Sequence, residues 1–225
     1  MPLSPPPVVF YGASGYAVAL RALIEEWEPQ PLARVVAYID DFRGDGGEAI
    51  DGVPIVSFAA WRASQRDIPI FVIIGSPSAR RTLVERVTTA GGRFASFYRI
   101  ESPIARDVVV GEGTMILPYA SIGASTVLGR HVHVMPLVSI DAQCTIGDYV
   151  TLCPSSTVYG RVVVEDDVFI GVGARIVNES DGILMVGTGA TITAGAVVTQ
   201  SVRAGQKLTG NPAQELRSLA AGRRT

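Results

Sequence analysis

Three short stretches place ligand-grade or reactive residue types at suggestive spacings. In "YGASGY", Tyr11–Tyr16, Gly12 closes an apolar run and "ASGY" opens the next segment. A glycine there permits a tight turn and close approach of a ligand. The free N–H groups of a helix start, with Ser14, Gly15 and Tyr16 around them, favour an anion. The pattern is half of a GxGxxG, so the pyrophosphate of a nucleotide-sugar suits it better than a dinucleotide. A purely structural strand-to-helix turn is the competing reading. In "YIDD", Asp40 and Asp41 end a second apolar run, at the carboxyl end of a strand, where open α/β sheets take ligands. A solvated turn explains the pair equally well. In "SIDAQCTIGDYVTLCPSS", Ser139–Ser156, Asp141, Gln143 and Thr151 surround two thiols, Cys144 and Cys153. His131 and His133 are the only histidines in the chain. No Cys/His cluster has metal-ligand spacing, so no metal is expected.

The elements that must hold these residues fall into two halves. Residues 1–100 alternate apolar, strand-like runs ("VVFY", "VVAYIDD", "IPIFVIIG", "RFASFYRI") with amphipathic stretches ("GYAVALRALIEEW", "SARRTLVERVTTAG"). Buried apolar strands separated by helices argue for a parallel sheet with crossovers, a small α/β Rossmann-like unit. Gly75 closes the third run at the same edge as Gly12, where a missing side chain leaves room for a ligand.

From residue 101 to 210 the period changes. Every sixth residue from Ile104 to Ile176 is Val, Ile or Leu, thirteen positions without a miss. The period resumes at Val186, Ile192 and Val198, with about four extra residues around "NESDGI". This is the hexapeptide signature of a parallel β-helix, in which each repeat is one short strand and three make a coil. Residues 211–225 form a tail.

The net charge of −2 gives no polyanion signal. The start "MPLSPPPVVFYG" lacks a basic segment followed by an apolar one, so the chain reads as cytoplasmic and soluble, with reduced, small and buried cysteines. The uncharged run Gly182–Val202 is long enough to span a membrane, but its Gly and Thr content and its six-residue period assign it to the repeat.

This order of pieces, "YGASGY", "YIDD", "IIG" (Ile73–Gly75), the hexapeptide array and "GNPA" (Gly210–Ala213), resembles the NeuD-like sugar acetyltransferases. The resemblance implies a left-handed β-helix, a homotrimer, and acetyl-CoA lying between neighbouring β-helices. It also implies a nucleotide-linked amino sugar held by the N-terminal half, with Asp40 and Asp41 at the base or ribose. For the cofactor it points to Thr151, Gly160, Val172 and Ala194 along the groove and to Asn211 near the adenine end. The tail arginines Arg217, Arg223 and Arg224 are candidates for the 3′-phosphate or an ordinary basic terminus.

The family carries a general-base histidine in the frame I-x-H-[DE]-C-x-I-G. Here that frame reads Ile140-Asp141-Ala142-Gln143-Cys144-Thr145-Ile146-Gly147. Ala142 stands at the histidine position, Gln143 at the acidic one, and Thr151 where the family places a second histidine. Four readings follow. The chain acetylates an amine without a histidine, with Asp141 and Gln143 orienting the acceptor or relaying its proton. Or His133, eighteen residues before Thr151 and so one coil below it, supplies the base. Or the β-helix binds ligands without catalysis. Or the acceptor differs, a sugar hydroxyl for example.

Overall fold

The computed structural model describes residues 5–26, 31–65, 67–98, 102–178, 181–212 and 214–215. They fall into two compact units: one within Met1–Ile74 and Ala79–Ser96, the other within Gly75–Ser78 and Phe97–Thr225.

The first unit is built on β1 (Pro7–Tyr11), α1 (Gly15–Glu25), β2 (Arg34–Ile39), β3 (Ala49–Ile50), β4 (Val53–Val56), α2 (Phe58–Ser64), β5 (Ile70–Val72) and α3 (Pro77–Thr89). The sheet order is β3-β4-β2-β1-β5, with β1 parallel to both β2 and β5 and β2 parallel to β4. Only β3 runs antiparallel. Val8, Val9 and Phe10 are buried in succession, as are Ile70, Phe71 and Val72. Such runs require cover on both faces of the sheet, which is why they do not alternate with polar residues. α1 buries Ala17, Leu20 and Ile24, one helical stripe. The segment expected as the last strand of this half is divided. Phe94 bridges Ile70, whereas Phe97–Tyr98 pairs with Met115–Ile116 of the second unit.

The second unit is a three-faced parallel β-helix. Its first face stacks strands at Phe97–Tyr98, Met115–Ile116, His133–Val134, Thr151–Leu152, Phe169–Ile170, Thr191–Ile192 and Lys207–Thr209. The Ser121, Ser139, Thr157, Arg175 and Val197 strands form the second face. The Val109, Val127, Thr145, Val162 and Leu184 strands form the third. Every six-residue anchor points inward: Ile116, Ile122, Leu128, Val134, Ile140 and Ile146 are all at most 2% exposed. Burying one such side chain contributes roughly 1.5–3 kcal/mol, so a column of them stabilises the stack.

Partners on one face lie eighteen residues apart until the insertion, as in Thr145 and Val163. Val164 then pairs with Val186, so the four extra residues are absorbed at a single corner, as the sequence indicates. The next turn is short: Val186 bridges Val202 and Thr191 pairs with Lys207. The six-residue period does not reveal that two-residue deficit, because Val202 falls outside the count from Val198.

The corners use left-handed backbone. Between the third and first faces the residues with positive φ are Gly113, His131, Tyr149, Asp167, Gly189 and Gly205. The His131 and Tyr149 rings stack there, with centroids 5.3 Å apart. Gly113 lies beneath them, and a Cβ on it would overlap His131 Nδ1 and Cε1, with Cγ only 3.0 Å away.

Candidate functional site

In the first unit the segment read as an anion cradle is a strand-to-helix turn. Gly12 N–H donates to the Ile39 carbonyl at 2.9 Å, which turns the chain off β1. Ser14 is the N-cap of α1, yet its hydroxyl makes no capping bond and the residue is exposed. Ser14 O takes the N–H groups of Ala17 and Val18. Gly15 is the first helical residue, with nothing within 4 Å of where a Cβ would be, and Tyr16 is half-buried beside it. Arg43, which sequence reasoning missed, sends Nη1 to the Ala13 carbonyl at 3.0 Å and also pairs with Glu48. It sets a guanidinium against the same turn, and no motif announces it.

The two carboxylates separate in role. Asp40 Oδ1 accepts the Phe42 N–H at 2.9 Å, a local turn that leaves the Phe42 ring 101% exposed at this edge. Asp41 is engaged on every side. Its Oδ1 takes the Phe58 N–H at 2.9 Å, and its Oδ2 meets the Arg86 guanidinium and the Tyr11 hydroxyl. Burial alone would raise its carboxyl. The hydrogen bond from Arg86, the Phe58 N–H and the charge of Arg86 outweigh that and hold it below the ordinary carboxylate value. Tyr11 is pushed up to about 12, by burial first and the Asp41 charge second. Arg86 also lies over the Phe58 ring, 4.1 Å from its centroid. Asp41 thus joins β1, α2 and α3, which limits its freedom to read a ligand.

In the β-helix the expected residues sit at three places. At the corner from second to third face, Asp141 Oδ2 accepts the Gly160 N–H at 3.2 Å. Ala142 is half-buried there, and Gln143 is exposed on left-handed backbone, φ 58°. Cys144 is buried behind them, its thiol 3.2 Å from the Gly160 carbonyl. Burial raises its pKa, as it does for Cys153. A Cβ on Gly160 would stand 2.7 Å from the Asn178 carbonyl. Val172, 53% exposed, and Ala194 lie at another corner, from first to second face. Asn211 follows the last coil and is exposed. Ala213 and the arginines of the tail lie outside the described residues.

His133 and Thr151 occupy the third place. They are register partners on the first face, as the eighteen-residue spacing requires. Both are fully buried, however. The Thr151 hydroxyl donates to the Gly75 carbonyl at 2.9 Å, so the segment Gly75–Ser78 lies against this face. On the other two faces no residue before an anchor is fully buried, and Ser139 and Thr145 are exposed. Sequence spacing gives direction but not what lies outside. Within one chain neither side chain presents a surface to a ligand. Among the described residues no cluster of three potential metal ligands occurs, and no helix is long and apolar enough to cross a membrane.

No family model matches the chain. WeeI from Acinetobacter baumannii AYE has the same fold, with TM-score 0.84, 29% identity, and coverage of 93% of this chain and 99% of that one. PerB from Caulobacter crescentus, solved with CoA and GDP-perosamine, gives TM-score 0.79, 25% identity, and coverage of 92% and 96%. The chain resembles the NeuD-like hexapeptide-repeat sugar acetyltransferases. A histidine-to-alanine variant of the Caulobacter family member, a GDP-perosamine N-acetyltransferase, has also been solved with both ligands bound. Among curated proteins, the 2,3,4,5-tetrahydropyridine-2,6-dicarboxylate N-acetyltransferase of Staphylococcus aureus (strain JH9) is 44% identical over 59 residues. That match covers 26% of this chain and spans 23% of the relative's length. The likeness to the sugar acetyltransferases, by contrast, runs through both units.

Proposed function

We propose that the chain transfers an acetyl group from acetyl-CoA to the amino group of a nucleotide-linked amino sugar. In this reading it is a homotrimer of left-handed β-helices, each with an N-terminal Rossmann-like unit. The observation that supports it most is the near full-length likeness to an enzyme solved with CoA and GDP-perosamine together. The distribution of the candidate residues agrees. Asp141, Gln143 and Gly160 stand at one corner and Val172 and Ala194 at another. A cofactor groove using both sets forms between two copies, not within one. Gly12, Ser14, Gly15 and Tyr16 would take the pyrophosphate at the start of α1, with Asp40 and the exposed Phe42 ring toward the base or ribose.

The chemistry tolerates Ala142. The amine nitrogen attacks the thioester carbon, the N–C bond forms and the C–S bond breaks. The proton lost by nitrogen passes through Asp141 or water, and the CoA sulfur ends as a thiol. Alignment of amine and thioester can supply about 7–11 kcal/mol of the barrier. A general base adds about 10²–10⁴-fold, so its loss slows the reaction without abolishing it. Asp141 is the half-buried carboxylate at this corner, and the exposed Gln143 beside it can hydrogen-bond the acceptor.

The test is isothermal titration with acetyl-CoA, followed by mass spectrometry of nucleotide-linked amino sugars for one added acetyl group. Micromolar binding at one site per chain and an acetylated amine support the reading. No binding at millimolar acetyl-CoA overturns it and leaves a family member that keeps the fold without catalysis. An acetylated hydroxyl moves the chain to O-acylation.

A further inference from the structure

A cavity of about 660 Å³ opens between α2 and α3, lined by Phe58, Ala59, Arg62, Ala63 and Arg86. Four of these residues form one stripe of α2, and Arg86 faces them from α3. The two alanines are exposed and keep the floor low. No acidic residue lines the space.

The two arginines are prepared differently. Arg86 is fixed: Nη1 reaches both the Tyr11 hydroxyl and Asp41, and its guanidinium lies on the Phe58 ring. Asp41 is itself anchored to the Phe58 N–H. The rotamer entropy of Arg86 is therefore spent on folding, not on binding. Holding it uses one nitrogen, and a guanidinium carries five donors in a fixed fork. Arg62 is exposed and makes no hydrogen bond or ion pair with any described residue. Two cations thus line one concave space, and Asp41, the carboxylate that pairs with Arg86, lies outside the lining. A fixed guanidinium opposite a free one is the arrangement that clasps an anion with oxygens on two sides.

We infer that this cavity is a seat for a phosphoryl or carboxylate group bridged between Arg86 and Arg62, a site separate from the Ser14 helix start; the inference does not rest on acetyl transfer. The anion comes either from the nucleotide-linked substrate or from a distinct small ligand, and its recognition is the same.

Inorganic pyrophosphate is the probe, titrated calorimetrically into the full chain at low and at raised salt. The wild type is expected to bind, more weakly as salt rises. R62A is expected to weaken binding about tenfold, with R62E weaker still, since one charge-assisted contact carries about that factor. Because Arg62 has no polar partner among the described residues, both variants should melt at the wild-type temperature. R86K, which keeps the charge and loses the fork, is expected to fall between R62A and wild type. A second titration with GDP present identifies the source. Mutual exclusion assigns the anion to the nucleotide, and simultaneous binding assigns it to a separate ligand; both outcomes retain the seat. Pyrophosphate affinity unchanged in R62A and R62E overturns it, because the anion then binds elsewhere, the start of α1 included. Absence of pyrophosphate binding at millimolar concentration also overturns it, whatever acetyl-CoA does.

Discussion

The corner stack at Gly113 gives a sharp test of how the β-helix is held together. An alanine there meets two separate obstacles. Its backbone stays left-handed, φ 71°, which costs an L-residue about 1–2 kcal/mol. Its Cβ would also overlap two atoms of the His131 ring, Nδ1 and Cε1. The ring cannot slide away freely, since it is 4% exposed and stacked on Tyr149. Overpacking of this kind costs about 1–3 kcal/mol, so Gly113→Ala should destabilise by about 2–5 kcal/mol in all. Gly205 supplies the control: it occupies the same corner type at φ 69° with nothing within 4 Å of its Cβ position. Gly205→Ala should show only the backbone part, about 1–2 kcal/mol. Urea denaturation followed by circular dichroism measures both. In a double-mutant cycle, His131→Ala should recover about 1–3 kcal/mol of the Gly113→Ala loss, since the ring it removes is the clash. Equal losses in Gly113→Ala and Gly205→Ala, within about 0.5 kcal/mol, refute the steric argument.

Four other outcomes are expected. Ala142→His should change the pH dependence of acetyl transfer by introducing a group that titrates near neutrality, and a pH–rate profile shows it. His133→Ala should lower stability through the cavity it leaves on the buried first face, while activity per folded chain stays within about twofold; a collapse of kcat at unchanged fold would restore His133 as the base. Tyr11 should remain a phenol to about pH 11, detectable as a difference in ultraviolet titration against Tyr11→Phe. Since its folded pKa, about 12, is raised, the stability it contributes is complete below the ordinary tyrosine value and is lost as pH climbs through the folded one. The lowered pKa of Asp41 acts in the opposite direction: its contribution is present above the ordinary carboxylate range and is lost as pH falls through the folded value, so Asp41→Asn should flatten the acid limb of a thermal-melt series.

Much of the β-helix is legible in the sequence because a hexapeptide anchor is both a local pattern and a tertiary position. The six-residue count alone assigns Ile116 through Ile146 to the interior and locates the corner that absorbs the insertion. The strand-to-helix turn at Gly12–Gly15 is legible for a similar reason, since its chemistry is contained in four consecutive residues. What escapes depends on what lies outside an element. His133 and Thr151 point as predicted, yet the segment at Gly75 lies on their face, and no spacing rule contains that contact. The division of labour between Asp40 and Asp41 turns on Arg86, 45 residues beyond Asp41. Arg43 and Arg62 belong to no motif and acquire meaning only from the carbonyl or the cavity beside them.

The register of the coils has a consequence for how such a chain can change. Thr145 pairs with a residue eighteen positions on, Val164 with one twenty-two on, and Thr191 with one sixteen on, yet all three belong to the same continuous stack. The fold therefore keeps count in rungs and not in residues. Sequence can be added or removed at a corner without moving any rung above or below it. Corners are also where Asp141, Gln143, Gly160 and Val172 stand. The scaffold is thus insulated from edits at the positions proposed to meet ligands, so specificity can be rewritten there while the column of Val, Ile and Leu beneath stays fixed.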